Sequence, residues 1–393
     1  MRRLGLPSLV ALIGVVMVMR LLYVYRRIEP VTTPGSDAKG VTHDGITPMI
    51  HKSGWDPRKC VVIGLAVGYP VQHFEQFVGS LRATGFPGKI IMGIGENPPP
   101  GVLDYLKKRD VIVKTVKFTK CTFTNYTTNT GQPSSFNQRQ KCAAGLPDYK
   151  IQWGRFPLAA QWLTECTECT DGVMLSDVRD AYFQRDPFAA VDTPHPLMVF
   201  EEHPMLTTEY WLVGYIVKQC KGKDLGKRPM LCSGSTMGTR DGILDYIAAM
   251  RAEFDEWLSV ERCRFDIIGD DQSIHDYLFY EGKLPGAVMI PYRTGPIHVV
   301  GGPADKIFRA AIEEAKKAGN DEGWVNAHRF YGTDEKWEQW LDPKLNLTDE
   351  NGLITNLDGT PSPQVHQFDR FGRPFERWLK RKVSQWNTKL DGA

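Results

Sequence analysis

Apolar and polar positions along this chain follow two alternating rhythms. Val61–Val67 is a short apolar run broken by one glycine, the pattern of a strand buried on both faces. Beyond Pro70, residues Phe74, Phe77, Val78 and Leu81 recur at i, i+3, i+4 and i+7, which marks one face of a helix. Gly85 and Pro87 supply its stop signals. Ile90–Ile94 predicts a second strand, Val102–Lys108 a short helix and Val111–Val116 a third strand. Strand–helix–strand–helix–strand predicts right-handed crossovers and a parallel sheet covered on both faces. Further along, Phe156, Ala159, Ala160 and Leu163 mark another helix, and Ile243, Ile247, Met250, Phe254 and Trp257 a longer one. Gly172–Leu175, Leu197–Phe200 and Ala287–Ile290 are further strands. Phe118 to Tyr149 is rich in Thr, Asn, Gln and Ser and reads as a surface excursion. The fold class is therefore α/β.

The N-terminus keeps a different pattern. Leu4–Met19 has no charged residue, and Leu21–Tyr25 continues the run beyond Arg20. About 22 such residues cross a ~30 Å hydrocarbon core as a helix. Large residues and arginine pairs follow, rather than the small residues of a cleavage site, which favours a retained anchor. Residues 1–27 read as a cytosolic tail and transmembrane anchor, 28–57 as a stem and 58–390 as the body. The stem carries few large apolar side chains.

Charge sharpens that division. The net charge is +2, from 48 Lys and Arg against 46 Asp and Glu. That balance gives no case for a nucleic-acid partner. Arg2, Arg3, Arg20, Arg26 and Arg27 against Glu29 put +4 in residues 1–30, so the remainder carries −2. Arginine counting leaves the anchor's orientation open, but Asn125-Tyr126-Thr127 and Asn346-Leu347-Thr348 are N-glycosylation sequons. All eight cysteines lie beyond the anchor, as disulfides in an oxidising lumen require. Cys121–Cys142 and Cys220–Cys232 are plausible pairs among the 105 pairings that eight cysteines permit, and Cys166-x-x-Cys169 reads as disulfide rather than zinc, lacking a second such pair.

The chemistry concentrates after the strand Gly172–Leu175, in Ser176-Asp177-Val178-Arg179-Asp180. Two carboxylates at the C-terminal end of a buried strand sit where open α/β sheets bind ligands. Hard divalent cations are held by one or two carboxylates plus substrate phosphates. The structural alternative has Asp177 and Asp180 capping a turn and pairing with Arg179 or Arg185.

Leu175–Phe188 resembles the metal motif of GT-A nucleotide-diphospho-sugar transferases of plants, algae and protists, L-(S/T)-D-V-R-D-x-x-F-Q-x-D-P-F. Asn356–Arg370 is similar to their C-terminal pattern N-x-D-G-x-x-S-P-x-V-H-Q-(Y/F)-D-R. The resemblance implies a GT-A Rossmann-like mixed sheet with helices on both faces, preceded by one transmembrane helix. It implies Asp177, Asp180 and His366 as ligands of Mn²⁺ or Mg²⁺, with Asp369 orienting His366 and His298 as the runner-up ligand. Asp177 could instead meet the ribose. Arg155 would lie near the nucleotide, and Gly68 and Tyr69 near its base and ribose. Ser233, Gly234 and Ser235 would belong to a small-residue loop (Leu231–Gly238) beside the donor sugar. Asp271 would be the general base, Asp270 the helix N-cap, with Glu201 and Glu202 as alternatives for the acid/base role.

The expected activity is transfer of a hexose or pentose from a nucleotide-diphosphate sugar to a glycan or glycoprotein hydroxyl, in the Golgi lumen of a single-pass type II membrane protein. Two rivals stand beside it: a glycoside hydrolase using paired carboxylates, and an inactive glycan- or partner-binding ectodomain.

Overall fold

The computed structural model describes residues 54–121, 141–260 apart from 205, 210 and 211, residue 263, 270–301, 348–371 apart from 350, and 373–392. The expected anchor, most of the stem, Asn125 and Asn346 lie outside the described residues. No helix among the described residues is long and apolar enough to cross a membrane.

β1 (Val61–Leu65) leads over Pro70 into α1 (Val71–Phe74), a π-helical turn Glu75–Gly79 and α2 (Ser80–Ala83). The predicted apolar face is buried throughout: Phe74, Phe77, Val78 and Leu81 are each at most 1% exposed. Gly85 ends the segment at φ +84°, a conformation that a Cβ would disfavour. β2 (Lys89–Gly95), α3 (Val102–Lys108) and β3 (Ile112–Val116) complete the two expected crossovers. β4 (Phe118–Lys120) and β5 (Lys141–Ala143) pair antiparallel at the base of the polar excursion, and a Cys121–Cys142 disulfide closes it.

The second half alternates again: α4 (Ile151–Glu165), β6 (Gly172–Ser176), β7 (Ala181–Phe183), β8 (Leu197–Glu201), α5 (Leu212–Lys221) and β9 (Leu231–Thr239). Then come α6 (Arg240–Ser259), α7 (Asp270–Tyr280), β10 (Ala287–Ile290), β11 (Ile297–Val299), β12 (Gln364–His366) and α8 (Arg373–Gly392).

Among the described residues, seven strands form one sheet in the order β10-β8-β9-β6-β1-β2-β3. The first three strands pair parallel, as their pattern predicted, and the whole sheet is mixed, as the resemblance implies, because β9 runs antiparallel to both β6 and β8. Alternation along β1 assigns its side chains to two cores. Val61 and Ile63 join the layer that holds Trp153 and Trp257, and Val62 joins the layer that holds Phe77 and Phe183. Each fully buried aromatic in these layers contributes roughly 2–3 kcal/mol of transfer free energy.

β9 corrects one expectation. Leu231–Gly238 is no loop but most of a central strand. Its glycines answer close approach rather than a turn: a Cβ on Gly238 would lie 2.1 Å from the carbonyl oxygen of Pro196. The expected Cys220–Cys232 pair is also corrected. Cys220 bonds Cys263, tying α5 to the segment after α6, while Cys232 in β9 and Cys60 just before β1 are buried free thiols. Cys166 and Cys169 bond to each other.

A smaller sheet, β11-β12-β7, carries the C-terminal motif. α8 lies against it, burying Phe375, Leu379, Val383 and Trp386 in a cluster with Tyr182. Periodicity had not marked α8 as a separate helix.

Candidate active site

The chain builds β1, β2 and β3 outward in one direction, then returns to add β6 on the other edge of β1. The strand order reverses between β1 and β6, and a crevice opens at their C-terminal ends, as such reversals produce. A small open cleft is lined there by Leu65, Phe156, Trp162, Arg155, Ser233 and Gly234, among others. Because β9 is antiparallel, its first residues reach the same edge: Ser235 pairs with Ser176, and Asp177 N donates to Gly234 O at 2.7 Å.

Register brings the distant C-terminal motif to this edge. β12 pairs antiparallel with β7 so that His366 stands opposite Ala181, the residue after Asp180. Gln367 N then donates to Asp180 O at 2.8 Å, with Gln367 at φ +64°. A non-glycine residue in that region costs about 1 kcal/mol or more, and such positions concentrate at functional sites.

Asp177, Asp180 and His366 each present a ligand atom, all within 4.8 Å of one another. His366 Nε2 lies 3.8 Å from Asp177 Oδ2 and 3.7 Å from Asp180 Oδ1. That nitrogen is buried and has no hydrogen-bond partner. Two carboxylates and one imidazole suit Mn²⁺ or a similar divalent ion, so the residues fit a bound cation. Gly234 makes the arrangement sterically possible, since its missing Cβ is replaced in space by the His366 ring and the Asp177 carboxylate.

The electrostatics of the metal-free triad follow from its geometry. Burial opposes charge on both partners, yet the His366 imidazolium, helped by Arg179, holds the Asp180 carboxyl down to about 2. His366 is likewise held well above its ordinary value despite burial, by Cys232 and Asp180. Burial pushes the Cys232 thiol itself up, so it is neutral near pH 7 and the carboxylates carry the attraction there.

Arg155, on α4, spans two acids. Its Nη1 pairs with Asp177 Oδ1; its Nη2 donates to Asp271 Oδ2 at 2.8 Å and to Ser233 O at 3.0 Å. Although burial opposes it, the guanidinium is held above its usual range by Asp177 and Asp271. Asp271 thus sits at the start of α7, joined through one arginine to the triad.

The other expected residues have partners of their own around the triad. Ser235 is fully buried, and its hydroxyl meets Ser176 Oγ at 3.3 Å, so it links β6 to β9 instead of facing the cleft. Asp369 does not orient His366; it pairs with Arg179 at 3.1 Å. Cys232 Sγ, not expected here, takes His366 Nδ1 at 3.3 Å. Asp270 is the first helical residue of α7, and its side chain binds Lys150 and Trp153 Nε1.

His298 stands opposite Val365 rather than His366, on the other face of the small sheet, with Nδ1 3.0 Å from Ser362 Oγ. Glu201 Oε2 accepts from Tyr292 N at 3.1 Å. Glu202 is buried, which raises its pKa, and its Oε1 accepts from Gln272 Nε2 and Gln367 Nε2. Gly68, at φ +75°, is exposed; the half-buried ring of Tyr69 lies 5.3 Å from that of His73, and its hydroxyl feels the charges of Arg179, Asp177 and Asp180. Sequence reasoning missed Cys232 and Gln364, whose Nε2 donates to Ser176 Oγ at 2.6 Å.

No family model and no curated protein matches the chain. The solved structures with a distant likeness include the following two. One is the glycosyltransferase GlyE of Streptococcus pneumoniae TIGR4, at 12% identity over 84% of this chain, with a TM-score of 0.40. This chain spans 62% of that one. The other is the galactosyltransferase LgtC in complex with donor and acceptor sugar analogs, at 13% identity over 84% of this chain and 96% of that one, with a TM-score of 0.44. The site geometry, more than these likenesses, bears on function.

Proposed function

We propose that the protein is a glycosyltransferase that moves a sugar from a nucleotide-diphosphate sugar to a hydroxyl of a glycan or glycoprotein, with a divalent cation. The observation that carries this reading is the convergence of Asp177, Asp180 and His366 at the strand-order reversal, with Arg155 bridging Asp177 to Asp271. The C-terminal motif of the sequence resemblance supplies His366 to that group.

A cation held by Asp177, Asp180 and His366 supplies Lewis-acid neutralisation of the departing diphosphate. Arg155 keeps the carboxylates of Asp177 and Asp271 in a fixed relation, one on each side of its fork. The anomeric carbon exchanges its bond to the diphosphate oxygen for one to the acceptor oxygen. In an inverting course, Asp271 takes the acceptor proton on Oδ1, since Oδ2 is committed to Arg155. The apolar wall of Phe156 and Trp162 keeps part of the cleft dry.

Residues 1–27 as a membrane anchor, the Golgi lumen as the compartment and Asn125 and Asn346 as glycan carriers complete the proposal. A glycosidase-sensitive mass shift in the protein expressed in a secretory host tests them.

The activity is tested with purified ectodomain, Mn²⁺ and a panel of UDP- and GDP-sugars. Release of nucleoside diphosphate that EDTA abolishes is the expected result. A folded ectodomain that neither binds nor turns over any donor would sink the proposal. Sugar release that persists in EDTA would favour the glycoside hydrolase.

A further inference from the structure

Cys232 belongs to no disulfide and is 2% exposed, and it lies beside a histidine that is 1% exposed. Its Sγ stands 3.3 Å from His366 Nδ1. On the opposite side of the same ring, Nε2 faces Asp177 and Asp180 without a hydrogen-bond partner.

A neutral imidazole carries one proton, on one nitrogen or the other. With the proton on Nε2, an N–H would point into the triad and exclude a cation. With the proton on Nδ1, the Nε2 lone pair is free, but the buried N–H then needs an acceptor. Sulfur is a weak acceptor, yet a weak partner in a dry site is far better than none.

The ring has little freedom to turn away. The backbone of His366 is fixed by its register with Ala181 and by Val300 N donating to His366 O at 2.9 Å. Gly234, two residues after Cys232 on β9, abuts Cε1. Positions i and i+2 share a face of a strand, so β9 grips the imidazole at two points with two small residues.

We propose that Cys232 is a positioning residue for His366: its Sγ accepts the Nδ1 proton and so presents the Nε2 lone pair to a cation shared with Asp177 and Asp180. The inference rests on the cation reading of the triad given above.

The test is Mn²⁺ affinity, measured by electron paramagnetic resonance of the free ion, for wild type, Cys232→Val and Cys232→Ser. Valine fills the space without accepting a proton; serine restores an acceptor. The expected result is a roughly ten- to hundredfold weaker affinity in C232V and a loss within about threefold in C232S, the range for partners of metal-bound histidines. Thermal melting checks that the variants are folded, and Cys232→Ala replaces C232V if valine does not fit.

Wild-type affinity in folded C232V overturns the inference. So does a C232S as weak as C232V, which would make the effect one of packing. Absence of Mn²⁺ binding by wild type would instead overturn the cation reading, and this inference with it.

Discussion

A Cβ on Gly234 would lie 2.5 Å from Cε1 of His366 and 2.7 Å from Oδ2 of Asp177. Real Cβ atoms essentially never come so close, so any side chain here displaces the triad. Gly234→Ala is expected to weaken Mn²⁺ binding by at least about tenfold and to cost about 1–3 kcal/mol, as overpacking does. Metal titration and chemical denaturation of the variant measure both. Unchanged Mn²⁺ affinity would mean that the triad can move aside without loss.

Arg155 holds the site's acids together from a position 19% exposed, facing an Asp271 side chain 11% exposed. Removing it leaves two carboxylates without their shared partner. Arg155→Ala is expected to destabilise the fold by about 3 kcal/mol and to abolish transfer. Arg155→Lys provides charge but no fork, so it should recover stability in part while kcat stays low. Denaturation midpoints and steady-state kinetics separate the two, and an R155K with wild-type kcat would remove the fork from the mechanism.

Stability of the metal-free protein should depend on pH through His366. Burial opposes charge on the ring, yet its folded pKa is raised well above 6.5, and near neutral pH the carboxylate of Asp180 carries that attraction because the Cys232 thiol is uncharged. The associated stabilisation is fully present below the unfolded value of 6.5 and is lost as pH rises through the folded value. Unfolding free energy measured in EDTA should therefore decline on going from pH 6.5 upward. His366→Gln should lack that contribution, and identical pH profiles for the two proteins would contradict it.

Disulfide mapping separates two arrangements of the cysteines. Non-reducing digestion is expected to yield a peptide pair joining Cys220 to Cys263, with Cys60 and Cys232 alkylated only after denaturation. Replacing both Cys220 and Cys263 by serine should cost about 2–4 kcal/mol, the typical contribution of a disulfide. Recovery of a Cys220–Cys232 peptide would overturn the arrangement.

Much of the fold was legible because burial imposes period. Val102–Lys108 and Ala287–Ile290 fall on the observed elements, and the face of Phe74, Phe77, Val78 and Leu81 is buried as its spacing requires. β9 was not legible. Small residues serve a tight turn and a closely packed strand equally well, and only neighbours decide between them. Here the decision lies with the Pro196 carbonyl beside Gly238 and the His366 ring beside Gly234.

The site divides along the same line. Sequence by itself determined that two carboxylates follow a buried strand and that a histidine motif stands far along the chain, because residue type and local period are properties of short segments. Only tertiary structure decided that His366 lies opposite Ala181 and so beside Asp180, that Arg155 bridges Asp177 to Asp271, and that Cys232 rather than Asp369 partners the imidazole. The physical reason is that cross-strand register and the hand of β9 are set by how whole layers pack, and no short stretch of chain carries that information.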